Sequence, residues 1–208
     1  LFRSRHYNHA KGYGLSGENG SAATIEALRT FGYDTDSVDA RFSKCYFAGV
    51  VLDLNGDTVR LDTGQVLEYL PWKVDVDISG KPFEKVAGAR MKKYAIDKTA
   101  TKDGKMMDND IVLFRYADVL LMKSEELVRN GVGMPDRQAT LDNILAERQL
   151  EFAWEGWRRQ DLVRFGLFTR TYSSRPQLPG ESSGYTTVFP IPENILSLNR
   201  NLTQNPGY

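Results

Sequence analysis

The densest group of potentially reactive side chains is the run Glu147-Arg148-Gln149-Leu150-Glu151-Phe152-Ala153-Trp154-Glu155-Gly156-Trp157-Arg158-Arg159-Gln160-Asp161-Leu162. Glu147, Glu151 and Glu155 recur every four residues and would stack along one helical face. Two carboxylates held together can act as general acid and general base, as in a glycosidase. Like charges at that spacing repel, however, unless cations lie between them. Arg148, Arg158 and Arg159 are placed to do so, and Phe152, Trp154 and Trp157 make the surroundings apolar. The preferred reading of Arg148, Glu147, Glu151, Glu155, Arg158 and Asp161 is therefore a paired structural network. A catalytic Glu pair is the least favoured reading.

The two histidines, His6 and His9, have the His-x-x-His spacing that could share a metal on one helical turn. No HExxH pattern surrounds them and glycines follow closely, so a polar loop pair is preferred over a metal site. Asp53, Asn55 and Asp57 imitate the start of a calcium loop. Thr58 stands where that loop needs Gly, and Gly64 where it needs Glu, so a turn is preferred. Gly12-Tyr13-Gly14 lacks the third glycine of a dinucleotide fingerprint, and there is no GxSxG or P-loop. Neither a cofactor nor a metal is expected. The aromatics remain: Tyr7 and Tyr13 in the glycine-rich opening, Tyr69 and Trp72 around Leu70-Pro71, and Tyr185 in a late loop. Loop rings often serve as stacking platforms for sugars or partners, although each could equally close the edge of a core.

The elements that must position these groups fall into three stretches. Residues 1–110 are irregular and partly β. Residues 47–54 and 57–61 flank Asn55-Gly56, which predicts a hairpin with a type I′ turn, because that turn needs φ > 0 at both central positions. Residues 111–170 are helical. Leu113, Phe114, Ala117, Leu120, Leu121 and Leu127 recur at helical steps, and Asn130-Gly131 ends that run. A second helix begins near Gln138, with Leu141, Ile144, Leu145 and Phe152 on one side. A third covers about 158–165 and stops at Gly166. Residues 171–208 read as an extended strap. In Phe189-Pro190-Ile191-Pro192, two prolines without N–H groups rule out a central strand, so burial of Phe189 and Ile191 should hold it down.

Composition sets outer bounds. The 208 residues amount to about one domain, or a large piece of one, at ~150 residues per domain. Hydrophobic residues are 41% and charged residues 26%, which excludes a disordered chain. Lys+Arg 27 balance Asp+Glu 27, so a broadly basic nucleic-acid binder is excluded. No apolar run approaches the ~20 residues of a membrane helix. The one cysteine, Cys45, rules out an internal disulfide framework and a cysteine-based zinc cluster.

The helical stretch resembles a known family. Phe114-Arg115-Tyr116-Ala117-Asp118-Val119-Leu120-Leu121 is similar to the "RYAEVLL" helix of the SusD/RagB family. Glu147-Arg148, Glu151-Phe152, Glu155-Gly156, Arg158, Asp161-Leu162 and Arg164-Phe165-Gly166 resemble its "ER..EF.FEG.R..DL.RWG" signature, with Phe165 in the place of the usual Trp. Phe189-Pro190-Ile191-Pro192 and Asn201-Leu202-Thr203-Gln204-Asn205-Pro206-Gly207-Tyr208 are similar to its C-terminal "PIP…NPNLTQNPGY". Asp39-Ala40-Arg41-Phe42 and Lys93-Tyr94 match weaker landmarks. The family's usual helix after the first motif is replaced here by Gly131-Val132-Gly133-Met134-Pro135.

The resemblance implies a mainly α, SusD-like fold. Its helical C-terminal part would join an irregular region with short β-hairpins, and the family's N-terminal tetratricopeptide-like half is absent from this chain. It implies a non-enzymatic outer-membrane lipoprotein on the cell surface, anchored through an N-terminal cysteine not present here, since Cys45 is internal. Such a protein binds oligosaccharides, or peptides in the RagB branch, as the lid of a SusC-like TonB-dependent transporter. A helical protein-interaction scaffold is the rival from another class. Arg115, Glu147, Arg148, Glu151, Glu155, Arg158 and Asp161 would be structural signature residues. His6, Tyr7, His9, Tyr13, Tyr69 and Trp72 are the expected ligand side.

Overall fold

The computed structural model describes residues 4–97, 109–132, 139–173 and 175–208. Their contacts divide into two units, Leu1–Trp157 and Arg158–Tyr208.

The first unit opens with short helices whose N-termini are capped by neighbouring side chains. Helix α1 (Tyr7–Gly12) uses His6, which accepts from the Asn8 amide. Helix α2 (Ile25–Thr30) uses Thr24, which accepts from Ala27. The one-turn helix α3 (Phe42–Cys45) runs directly into strand β1 (Tyr46–Phe47). Strands β2 (Gly49–Val50), β3 (Glu68–Tyr69) and β4 (Arg90–Met91) follow. They form two antiparallel pairs, β1 with β4 (Tyr46 opposite Met91) and β2 with β3 (Gly49 opposite Tyr69). One core gathers Leu28, Phe31, Phe42, Cys45, Tyr46, Ala89 and Ala153. A second gathers Val51, Val59, Leu67 and Tyr69 beneath the strand pairs.

The hairpin around Asn55-Gly56 is present as a chain reversal, with Leu52 bridged to Thr58. Its turn differs from the type I′ expectation. Gly56 has φ 88, but Asn55 is not in the left-handed region. Instead Asp53 Oδ1 accepts from the Asn55 and Asp57 amides, and Asp53 N donates to Asp57 O. This is the wider three-residue hairpin loop, with only its last residue needing φ > 0.

Helix α4 (Tyr116–Arg129) ends at Gly131, φ 66, as its sequence predicts. It starts later than residue 111, and its burial is the reverse of the apolar pattern. Asp118 and Glu125 are its buried residues, whereas Phe114, Tyr116, Val119 and Leu120 are exposed. Helix α5 (Leu141–Glu151) is capped by Thr140, buries Ile144, Leu145 and Arg148, and packs on α4. The expected start near Gln138 lies outside the described residues. Trp154, φ 66, and Gly156, φ 85, turn the chain sharply after α5.

In the second unit, helix α6 (Arg158–Arg164) stops before Gly166, φ 69, as read from the sequence. Buried Asp161 receives a 3.0 Å bond from Arg164. Burial lowers the Arg158 pKa, and the charge of Asp161 acts against it. The late segment is not uniformly extended. It contains 3-10 turns at Glu181–Ser183 and Tyr185–Thr187 and helix α7 (Glu193–Leu198). The expected burial of Phe189 is also corrected: its side chain is 70% exposed, with the Arg159 guanidinium stacked 4.2 Å from its centroid. Ile191 is held by polar means. Its N–H donates to Gln204 Oε1 at 2.8 Å and its carbonyl accepts from Gln204 Nε2 at 2.9 Å. A side-chain amide thus replaces the strand partner that the flanking prolines preclude.

Candidate functional site

A cleft of about 390 Å³ opens in the first unit where α3, β1 and β2 meet the 51–53 segment. Its wall is a run of packed rings. Trp72 lies 5.7 Å from Tyr33, Tyr33 stacks on Phe42 at 4.5 Å, and Phe42 stacks on Tyr46 at 5.1 Å. Tyr13 and Phe47 line the cleft as well. The polar groups among them are Ser43, Asp53 and Lys92. Trp72 is 41% exposed, so the stack reaches solvent. Flat rings at an open edge, with a few polar groups beside them, suit the C–H faces and hydroxyls of a sugar.

Of the six expected ligand residues, the structure brings Tyr13 to the cleft and Trp72 to the end of its ring wall. Tyr7 is exposed and sets its ring edge-on to His6, 5.6 Å away, but it does not line the cleft. His6, His9 and Tyr69 are buried beneath. The Tyr69 hydroxyl accepts from the His6 amide at 2.9 Å, leaving its own proton for His9 Nδ1 at 3.0 Å. Burial, then the charge of Arg5, lowers the His9 pKa to about 3, so the ring is neutral. Burial pushes the Tyr69 hydroxyl up to about 12. This trio supports α1 and β3 from below. Sequence reasoning missed Tyr33, Phe42, Tyr46, Phe47 and Lys92. The aromatic density of Phe42-Ser43-Lys44-Cys45-Tyr46-Phe47 is the signal that could have found four of the cleft residues.

A second hollow of about 400 Å³ lies over the Glu ladder, lined by Arg41, Cys45, Lys93, Arg115, Glu151 and Glu155 among others. Arg115 bonds Glu155 through Nε at 2.9 Å and NH2 at 3.0 Å, and also reaches Glu151. Arg41 bridges Glu147 at 2.6 Å and Glu151 at 3.2 Å, and Lys93 meets Glu155 at 2.5 Å. Burial pushes the Glu151 carboxyl up, but bonds and charge from Arg115, Arg41 and Lys93 outweigh it and hold the group below the usual range. A general acid needs the opposite shift. Arg148 pairs elsewhere. One position along α5 turns it about 100° away from Glu147, toward α4, where NH1 donates to Asp118 at 2.7 Å with both side chains buried. Sequence reasoning missed Asp118 as a partner and Arg41 and Lys93 as the ladder's cations. Among the described residues no cluster of three His, Cys, Asp or Glu is placed to hold a metal ion, and no helix is long and apolar enough to cross a membrane.

The described residues form a mostly helical chain with a few short antiparallel strand pairs. Residues 125–208 match the model of the SusD family. Over 121 aligned positions the chain is 33% identical to the "Starch-binding protein SusD" of Bacteroides thetaiotaomicron, covering 49% of this chain and 22% of that protein. Over 133 positions it is 30% identical to the "SusD-like protein P38" of Formosa agariphila, covering 49% of this chain and 25% of that protein. The matched stretches thus span about a quarter of each relative's length. Over residues 125–208, then, the chain is similar to the SusD family, and part of it is similar to two SusD-type proteins.

Proposed function

We propose that this protein captures oligosaccharides at the cell surface without transforming them and passes them to a SusC-like TonB-dependent transporter. On this reading it works as a lipid-anchored outer-membrane component. The cleft carries the reading. Half-buried Tyr13 and Tyr33 and exposed Trp72 offer stacking surface, buried Phe42 and Tyr46 back Tyr33 from the core, and Ser43, Asp53 and Lys92 offer hydroxyl partners. The starch-binding name of one relative points the same way. A non-enzymatic role accords with Glu151 and Glu155 each being held by cations. Capture for hand-on needs modest affinity, about −4 to −8 kcal/mol or ~1 mM to 1 µM.

Calorimetric titration of neutral oligosaccharides into the 208-residue chain tests this, with a Tyr33→Ala, Trp72→Ala double variant beside it. Loss of two stacking rings should weaken binding at least tenfold, at ~1–3 kcal/mol per ring face. Undiminished affinity in the double variant would remove the cleft from the site. Turnover of a bound glycan, abolished by Glu151→Gln, would overturn the non-enzymatic reading. A second reading, the helical interaction scaffold, draws on the exposed apolar residues of α4, Tyr116, Val119 and Leu120.

A further inference from the structure

Resting on the oligosaccharide reading, the geometry points to a narrower ligand class. We propose that the cleft selects saccharides carrying a carboxylate or sulfate, and that Lys92 is the residue that reads that charge. Lys92 follows β4 and is fixed by its amide, which donates to Cys45 O at 2.8 Å. Its ammonium lies 5.2 Å from the centroid of Phe47, itself a cleft residue. Among the described residues it has no ion-pair partner.

Contrast the neighbouring hollow, where Arg41, Lys93 and Arg115 are each matched by carboxylates. Lys92 and Lys93 are adjacent in sequence, yet only Lys93 meets an acid. Strand-like alternation sends the two side chains to opposite faces, Lys93 toward the ladder and Lys92 toward the cleft. Among the described residues the one carboxylate lining the cleft is Asp53, and its own loop engages it through the Asn55 and Asp57 amides. The cations near Lys92 are Lys44 and Arg5, and burial together with these like charges lowers its pKa. Arg5 also lies over Phe47, 5.0 Å from its centroid. An ammonium held in a positive local field beside stacking rings is complementary to an acidic sugar, whose charge supplies the missing counter-ion.

The test is calorimetry on the full 208-residue chain with matched pairs of probes. One pair is tetragalacturonate and its methyl ester, which share ring and linkage but differ in charge. The other is a sulfated galactan tetrasaccharide and its desulfated form, so that the two arms distinguish carboxylate from sulfate. At least one charged probe should bind about tenfold or more tighter than its neutral twin, with the ratio falling between about 20 and about 300 mM NaCl. Lys92→Gln should bring the twins to parity, and Lys92→Arg should keep the preference. Equal binding of charged and neutral twins by the unaltered chain would overturn the charge reading while leaving oligosaccharide capture standing. A preference that survives in Lys92→Gln would remove Lys92 as its source. Failure of every neutral and charged probe to bind would overturn the capture reading and this inference with it.

Discussion

Two buried polar residues show at single-residue scale how context sets the consequence of a charge. Arg148 and Asp118 are 2% and 3% exposed in their side chains. A buried pair gives little net stabilisation, but removing one member leaves the other charge uncompensated at ~3–5 kcal/mol. Asp118→Asn should therefore lower stability by that amount in chemical denaturation, whereas an Arg148→Met, Asp118→Leu double variant should recover most of the loss. Equal damage from single and double variants would show that packing, not charge, holds this junction. His9 gives the pH counterpart. Its pKa is near 3 in the fold, against about 6.5 in the unfolded chain. A depressed pKa stabilises the fold at pH above the unfolded value, and that stabilisation is lost as pH falls from about 6.5 toward 3. The full effect is roughly 3–5 kcal/mol. His9→Gln, which cannot titrate, should flatten the stability curve over that window. An unchanged slope would mean that His9 does not drive it.

At the scale of elements, the C-terminal segment is secured by side-chain amides where sequence reasoning expected apolar burial. Gln204 bonds both backbone groups of Ile191, and Asn205 Nδ2 donates to Phe189 O at 2.7 Å. Tyr208 reaches Val188 O at 3.0 Å while its ring meets Tyr185 edge-on at 5.2 Å. Gly207 is compelled by space as well as by its φ of 95: a Cβ there would lie 2.5 Å from the Tyr185 Cβ. Gln204→Ala should cost about 1–3 kcal/mol, two hydrogen bonds at ~0.5–1.5 each, and speed amide exchange at Ile191. Unaltered exchange there would refute the amide clamp. In the same unit Glu181 accepts from Thr186 at 2.6 Å and from the Leu178 amide at 2.9 Å, and pairs with Arg175. The Arg175 bond, then that from Thr186, lowers its carboxyl pKa to about 2. Its contribution is present above about pH 4.3, the ordinary Glu value, and is lost as pH falls toward 2. Glu181→Gln should remove that acid-limb dependence from the second unit's unfolding.

For the whole molecule, the surface of α4 stands out. Asp118 and Glu125 face inward, paired with Arg148 and Arg129, while Phe114, Tyr116, Val119 and Leu120 face outward. These exposed apolar residues are what the interaction-scaffold reading rests on. Val119→Gln with Leu120→Gln should leave the stability of the 208-residue chain within about 0.5 kcal/mol and reduce binding of an apolar fluorescent dye. A large loss of stability would mean that these side chains belong to the core after all.

The helix stops at Gly131 and Gly166, the chain reversal at Gly56 and the periodicity of α5 were legible in the sequence because each depends on a few neighbouring residues: a left-handed φ that glycine permits, or apolar groups one turn apart. The family resemblance was legible for the same reason, since its motifs are short and contiguous. What the sequence could not supply is which distant groups meet. Arg41 finds Glu147 across 106 positions and Thr30 finds Gln149 across 119. Tyr13 lines the cleft and Trp72 lies against its lining ring Tyr33, while His9 and Tyr69, equally polar and equally aromatic, are buried. Residue type alone fixes neither outcome. A ring serves as platform or core according to what packs against it. A carboxylate is reactive or locked according to the cations that chain closure brings within about 3 Å, and only the tertiary structure decides that.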